Sequence, residues 1–169
     1  KSDLRELVLA KLNSQGIQCR CIRCREIGHR LLRGIYTQGE SDLKMKRMKY
    51  FASGGEEHFV SVEAEDETLI GYMRLRMPSQ NAFRSEVNLS KTAIIRELHV
   101  YGPLVPVGQY NSGAWQHRGY GALLLGEAER ISREYEKSKI LVISALGTKP
   151  YYAKHGFSHD GPYMSKRIE

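Results

Sequence analysis

The stretch Gln116-His117-Arg118-Gly119-Tyr120-Gly121 decides the fold, because it opens the best-patterned helix in the chain. From Tyr120 to about Lys137, the residues Leu124, Leu125, Ala128, Ile131 and Tyr135 fall on one face and charged residues fill the other. Two glycines separated by one residue allow positive φ and let a ligand approach the main chain closely. The amides of such a loop, continued into a first helical turn with the helix dipole behind them, converge on one spot. That spot suits an anion such as a pyrophosphate. Arg118 adds a charged donor. A Gly-x-Gly ahead of a helix is also a common plain turn, so the flanking sequence has to decide between a turn and a site.

Upstream of this loop the chain reads as strands. Leu43 to Phe51, Phe59 to Ala64, Leu69 to Met77 and Thr92 to Tyr101 are apolar, aromatic or alternating. Ser53-Gly54-Gly55 and Glu65-Asp66-Glu67 turn the first two corners. In the third strand Tyr72, Arg74 and Arg76 share a face, with Leu69, Met73, Leu75 and Met77 on the other. The segment from Gly102 to Gly113 is rich in Gly and Pro and reads as loop. Downstream, Lys139 to Ala145 is a buried strand and Thr148 to His155 makes one or two helical turns ended by Gly156. Phe157 to Arg167 closes with strand around Pro162. The order predicts an α+β, mixed α/β domain around a largely antiparallel sheet with flanking helices.

Near the chain start, Asp3 to Gln15 reads as a short helix with Leu4, Leu7, Val8 and Leu12 on one side. Asp3 and Glu6 are placed as a capping box, and Gly16 ends the helix. The segment with Cys19, Cys21 and Cys24 follows and shows no periodicity. Three cysteines within six residues are poor disulfide partners, since the closed loops would be strained. The Cys-x-Cys-x-x-Cys spacing reads as thiolate ligands for a zinc-like metal in a reducing compartment. A fourth ligand would have to come from elsewhere, with His29 the nearest histidine. The other reading is three reduced, partly buried thiols.

Charge is unevenly placed. The first fifty residues hold 12 Lys or Arg against 5 Asp or Glu, which accounts for the whole net charge of +7. A basic module joined to a neutral one points to a polyanionic partner on one side. Phosphate contacts from Arg20, Arg23, Arg25, Arg30, Arg33, Lys44, Lys46, Arg47 and Lys49 would position a nucleic acid and make its affinity depend on salt. A solvated basic face is the plainer alternative. No apolar stretch approaches the ~20 residues of a membrane helix, and the run Leu7 to Ala10 is too short for a signal peptide. The chain starts at Lys1, as a fragment of a longer protein would.

The pattern Gln-x-x-Gly-x-Gly, after a strand and opening an amphipathic helix, resembles the coenzyme A loop of the GNAT acetyltransferases. A narrower resemblance, to the Elongator catalytic subunits, runs through nearly the whole chain. It rests on Cys19-Arg20-Cys21-Ile22-Arg23-Cys24-Arg25-Glu26, Arg96-Glu97-Leu98-His99-Val100-Tyr101-Gly102, Gln116 to Gly121, Ala128-Glu129-Arg130-Ile131, Tyr151-Tyr152 and Gly161-Pro162-Tyr163-Met164. The resemblance implies the GNAT fold with splayed central strands, Thr92 to Tyr101 and Lys139 to Ala145. It divides the chain into a basic linker with the cysteine cluster, 1–42, and an acetyl-CoA-binding domain, 43–169.

It also implies a site. Glu97, Leu98, His99 and Val100 would hold acetyl-CoA along a strand whose free main-chain groups pair with pantetheine. Gln116, Arg118, Gly119, Tyr120, Gly121 and Ala122 would take the pyrophosphate. Tyr152 would lie near the thioester as a proton donor, since a phenol's ordinary pKa near 10 suits a donor at neutral pH. Core aromatics are the plainer reading of Tyr151 and Tyr152, and bracing the site or ligating the metal that of His99.

The family's reaction forms 5-carboxymethyluridine at the wobble position of transfer RNA. It uses a radical S-adenosylmethionine domain with a 4Fe–4S cluster, and no Cys-x-x-x-Cys-x-x-Cys motif for one occurs in this chain. Cytoplasmic location, and assembly with other Elongator subunits or with itself, are implied with it. Two other functions remain open from the sequence: a protein lysine N-acetyltransferase with Glu97 as base, and a non-catalytic module binding RNA and a metal.

Overall fold

The computed structural model describes residues 3–35, 43–88, 91–102 and 119–169. Seven strands form one sheet in the order β1-β2-β3-β4-β5-β7-β6. They are β1 (Lys44–Ala52), β2 (Gly55–Glu63), β3 (Leu69–Met77), β4 (Thr92–Val100), β5 (Lys139–Val142), β6 (Ser158–Asp160) and β7 (Tyr163–Arg167). All neighbours are antiparallel except β4 and β5, which run parallel. The predicted class, a mostly antiparallel mixed α/β sheet with flanking helices, is the one observed.

Helix α4 (Tyr120–Glu134) makes the parallel crossover from β4 to β5 and lies across β2, β3, β4 and β5. Its buried residues include Leu124, Leu125, Ala128 and Ile131, four of the five read from the sequence; the fifth, Tyr135, caps the helix end and is partly buried. Each large apolar side chain taken out of water there contributes about 1.5–3 kcal/mol. They meet Val60, Met73, Leu75, Ile95, Ile140 and Val142 in one core. The opposite face of the sheet carries a smaller cluster of Ile94, Leu141 and Tyr163, with Val87 packed against it. A short helix α5 (Lys149–Lys154) follows β5, and Gly156, with φ +83°, ends it as expected.

Three features near the chain start differ from the sequence reading. Helix α1 (Leu4–Ser14) forms, but it has no buried residue, and Leu4, Leu7 and Val8 are exposed. Asp3 makes no side-chain cap bond; the Glu6 and Leu7 amides bond to its main-chain oxygen instead. The cysteine segment, read as irregular, contains α2 (Ile22–Arg25) and α3 (Ile27–Leu32). Helices this short hold too little of a 3.6-residue period to show in a sequence.

Ile27 is fully buried in the main core, and Glu26 bridges to Leu69 at the start of β3. Arg25 reaches Glu63 at 3.0 Å and Arg30 reaches Asp66 at 3.3 Å. On the α4 side, His58 is buried against Tyr135 and accepts a bond from Arg47 Nε at 3.2 Å. Desolvation, then the Arg47 charge, lowers its pKa.

Candidate coenzyme cleft and its surroundings

The pairing of β4 changes part-way along its length. Thr92 to Ile95 pair with Lys139 to Val142 of β5, and the Ile143 amide makes a further bond to the Ile95 oxygen. Strand β5 ends at Val142, while β4 runs on to Val100. On its other side β4 stays paired with β3, through a register shift that sets Arg74 opposite Glu97 and Leu75 opposite Ile95. Arg96 is therefore the extra residue of a β-bulge, and a bulge bends its strand and strengthens its twist. The splay predicted from the resemblance corresponds to this stretch of β4 beyond β5, and the bulge lies where that stretch begins. Glu97, Leu98, His99 and Val100 all lie on the stretch of β4 beyond β5.

The helix start comes to the same place. Gly119 takes φ +84° and caps α4, whose first intrahelical bond runs from the Leu123 amide to the Gly119 oxygen. The amides of Gly121 and Ala122 precede that bond and so have no acceptor within the helix. Among the described residues no side chain caps this end. A Cβ placed on Gly121 would lie 2.3 Å from the Tyr151 hydroxyl and 3.9 Å from Leu98 Cδ2. Gly121, Tyr151 and Leu98 thus meet at one point, joining helix start, α5 and the splayed strand. Gln116 and Arg118 lie outside the described residues.

The two tyrosines of α5 separate clearly. Tyr152 is 6% exposed and packs edge-on against Phe157. Burial, with the neighbouring Tyr151, pushes its phenol up to about 12. Tyr151 is 36% exposed and is the one whose hydroxyl touches the helix start. Sequence reasoning did not single out this contact; the small residue at position 121 was its only trace.

Glu97 accepts from the Tyr72 hydroxyl at 2.9 Å and from Arg74 Nη1 at 3.1 Å, one donor on each carboxylate oxygen. His99 is exposed and stacks on Tyr72 at 5.3 Å and on Tyr101 at 6.3 Å. Tyr72 in turn stacks on Phe59 at 5.2 Å. Beside this row Glu57 is fully buried and faces three arginines. Its Oε1 lies 2.6 Å from Arg96 and 3.0 Å from Arg76, and its Oε2 lies 3.9 Å from Arg74. This cluster was also missed; only the shared face of Arg74 and Arg76 hinted at it.

In the cysteine segment the sulfurs of Cys19, Cys21 and Cys24 lie within 4.8 Å of one another. A tetrahedral zinc with Zn–S bonds of about 2.3 Å sets its sulfurs about 3.8 Å apart, so the three would draw together by up to about 1 Å to hold one. Arg5 Nη2 points at them, 3.1 Å from Cys24 and 3.6 Å from Cys21. Desolvation opposes the Cys21 thiolate, but the Arg5 hydrogen bond and its neighbours bring that thiol down to about 6. Among the described residues no histidine joins this group. His29 instead accepts from Arg23 Nε at 3.1 Å and lies 3.3 Å from Glu26.

The residues expected at phosphates divide by environment. Arg25 and Arg30 are largely buried in ion pairs, and Arg47 bonds to Glu134 and His58. Lys49 approaches Glu56 and Tyr135. Lys46 pairs with the buried Glu63 at 3.0 Å, Arg20 pairs with the half-exposed Glu67, and Arg23, Arg33 and Lys44 are exposed.

The sequence profile of the acetyltransferase (GNAT) family matches residues 25–157, most of the chain. This chain belongs to that family. Elongator complex protein 3 of Drosophila melanogaster is 45% identical to it over 99% of its length. The tRNA uridine(34) acetyltransferase of Methanocaldococcus jannaschii is 43% identical over all of it. This GNAT chain spans about 30% of the length of these relatives. The solved structure of Methanocaldococcus infernus Elp3, lacking its first residues, superposes with a TM-score of 0.87 at 42% identity. It covers 99% of this GNAT chain and 40% of the other. The resemblance to Elongator catalytic subunits, read from six separate motifs, holds along the whole sequence.

Proposed function

We propose that this chain is the acetyl-CoA-binding, acyl-transferring part of an enzyme that makes 5-carboxymethyluridine at the wobble position of transfer RNA. The observation that carries it is the meeting of Leu98, Gly121 and Tyr151, which brings the unpaired half of β4 against the amide-rich start of α4. In this reading the main chain of Glu97 to Val100 pairs with pantetheine. Gln116, Arg118 and Gly119 to Ala122 take the pyrophosphate. The relatives named for uridine 34 and for Elongator supply the substrate class and the expectation of further subunits and a cytoplasmic setting. The radical S-adenosylmethionine chemistry, with its 4Fe–4S cluster, belongs to sequence outside this chain. The three cysteines, with a fourth ligand from elsewhere, hold zinc and brace the basic segment.

Within this chain the chemical step is thioester cleavage. Water adds to the carbonyl carbon, the C–S bond breaks, the departing thiolate takes a proton from a donor, and the proton lost by the water restores that donor, leaving a carboxyl group and a free thiol. Tyr152 is the proposed donor, because burial keeps its phenol protonated at neutral pH. The lysine N-acetyltransferase alternative needs a base in the cleft, and its candidate Glu97 is held by the Tyr72 hydroxyl and Arg74.

Acetyl-CoA hydrolysis by the intact protein is expected to rise on adding transfer RNA. Tyr152→Phe should lower that rate about a hundred-fold, the scale of a lost general acid, with acetyl-CoA affinity unchanged. Hydrolysis indifferent to transfer RNA, together with acetylation of histone lysines, would favour the alternative.

A further inference from the structure

Two cavities flank the cysteine segment, and both are basic. One, of about 470 Å³, is lined by Arg20, Arg25, Arg30 and Arg33 against Asp66 and Glu67. The other, of about 490 Å³, has Arg20, Lys46, Arg47, Met48 and Phe59 in its wall, with Glu63 among them. Arg20, Arg25 and Glu67 line both, so the cavities adjoin. The Arg20–Glu67 ion pair stands between them at 2.6 Å, with the two side chains 71% and 40% exposed. A pair so exposed is held weakly and can exchange partners. Arg25 and Arg30 are committed to Glu63 and Asp66. Arg33 and the loosely paired Arg20 face the trough, and Lys46, which shares Glu63 with Arg25 at 3.0 Å but is half-exposed, can add a donor to a ligand there.

The second cavity ends at an aromatic ring. Phe59 begins the row that continues through Tyr72 to His99, with ring planes 24° and 28° apart. That row crosses β2, β3 and β4 and ends beside Glu97, on the part of β4 proposed to hold the coenzyme. Basic side chains spaced along a trough suit a phosphate chain. An aromatic ring at its end suits the π-face of an unpaired base, which a paired duplex keeps inside its own stack.

We infer that this trough takes a single-stranded stretch of RNA, with phosphates at Arg33, Arg20 and Lys46 and one unpaired base stacked at Phe59. The inference rests on the transfer RNA reading above and adds to it a place on the sheet. An acidic peptide would use the same cations but would have no need of the ring.

The test is made on the intact protein with two probes, a short RNA hairpin carrying one 2-aminopurine in its loop and a fully paired RNA duplex. The loop fluorescence is expected to quench on binding. Phe59→Leu should relieve the quenching and weaken the hairpin about ten-fold, as for one lost base–aromatic stack. Its affinities for the duplex and for acetyl-CoA should not change. Arg20→Ala combined with Lys46→Ala should weaken both RNAs and lower the salt slope by about one to two. Parent-like affinity and quenching in Phe59→Leu would overturn the stacking site, as would displacement of the hairpin by polyglutamate with no dependence on Phe59. Failure of the parent protein to bind either RNA would instead remove the transfer RNA reading, and the trough with it.

Discussion

Gly121→Val is expected to weaken acetyl-CoA binding about a hundred-fold, close to 2.7 kcal/mol, while the chain stays folded. The space for even one added carbon at this position is taken by the Tyr151 hydroxyl, 2.3 Å from where a Cβ would sit. Overpacking of this kind typically costs ~1–3 kcal/mol through displaced side chains and main chain. Here the displacement falls on the first turn of α4 and on Leu98, the two surfaces proposed to grip the coenzyme. Tyr151 is half-exposed and can swing away, so the fold should survive where the site does not. A double-mutant cycle separates the causes: Tyr151→Phe removes the nearest atom and should restore part of the affinity lost in Gly121→Ala. Calorimetry reads all four proteins. Parent affinity in Gly121→Val would show that the coenzyme does not use this point of contact.

Glu57→Gln is expected to destabilise the fold by about 3 kcal/mol, the lower end of the range for breaking a buried ion pair. Glu57 is fully buried, and its carboxylate is the shared partner of Arg74, Arg76 and Arg96. The neutral amide leaves those guanidiniums without their counter-charge. Arg96 is 41% exposed and can turn to water, which keeps the loss from the top of the range. For a domain of this size, 3 kcal/mol corresponds to a fall of roughly 6–12 °C in thermal midpoint. Glu67→Gln, which breaks only the exposed pair with Arg20, should cost under about 1 kcal/mol. Thermal or urea unfolding of both variants decides it. Equal small losses would mean that the arginine cluster is held by solvent and not by Glu57. Since Arg96 is the bulged residue of β4, the same substitution should also loosen the splay beside the coenzyme cleft.

The legible parts of the fold were those with a period. Strand β3 was read to its end residues, and the apolar face of α4 was read side chain by side chain, because each buries one regular stripe. The Gly-x-Gly before α4 and Gly156 after α5 were legible because positive φ favours glycine. The bulge at Arg96 was not, since one extra residue leaves no mark on a pattern of alternation. The roles of Tyr151 and Tyr152 could not be told apart either. Neighbours on a helix point about 100° apart, and six residues of α5 hold too little pattern to say which one faces inward. In α1 the apolar stripe was real but stays uncovered among the described residues, so periodicity announced a helix without announcing burial. The charge map was legible as a total and not in its detail. Burial of Glu63 and Glu57 turns some arginines into internal partners, draws Lys46 to Glu63 as well, and leaves Arg20 and Arg33 outward.

The central claim is that the coenzyme lies between the free half of β4 and the start of α4. The most direct measurement is the structure of the protein bound to acetyl-CoA. Pantetheine amides bonded to the main chain of Glu97 to Val100, with the pyrophosphate on the amides around Gly119 to Ala122, are the predicted result. A coenzyme seated elsewhere, with those groups still closed to it and Tyr151 unmoved against Gly121, would contradict the account.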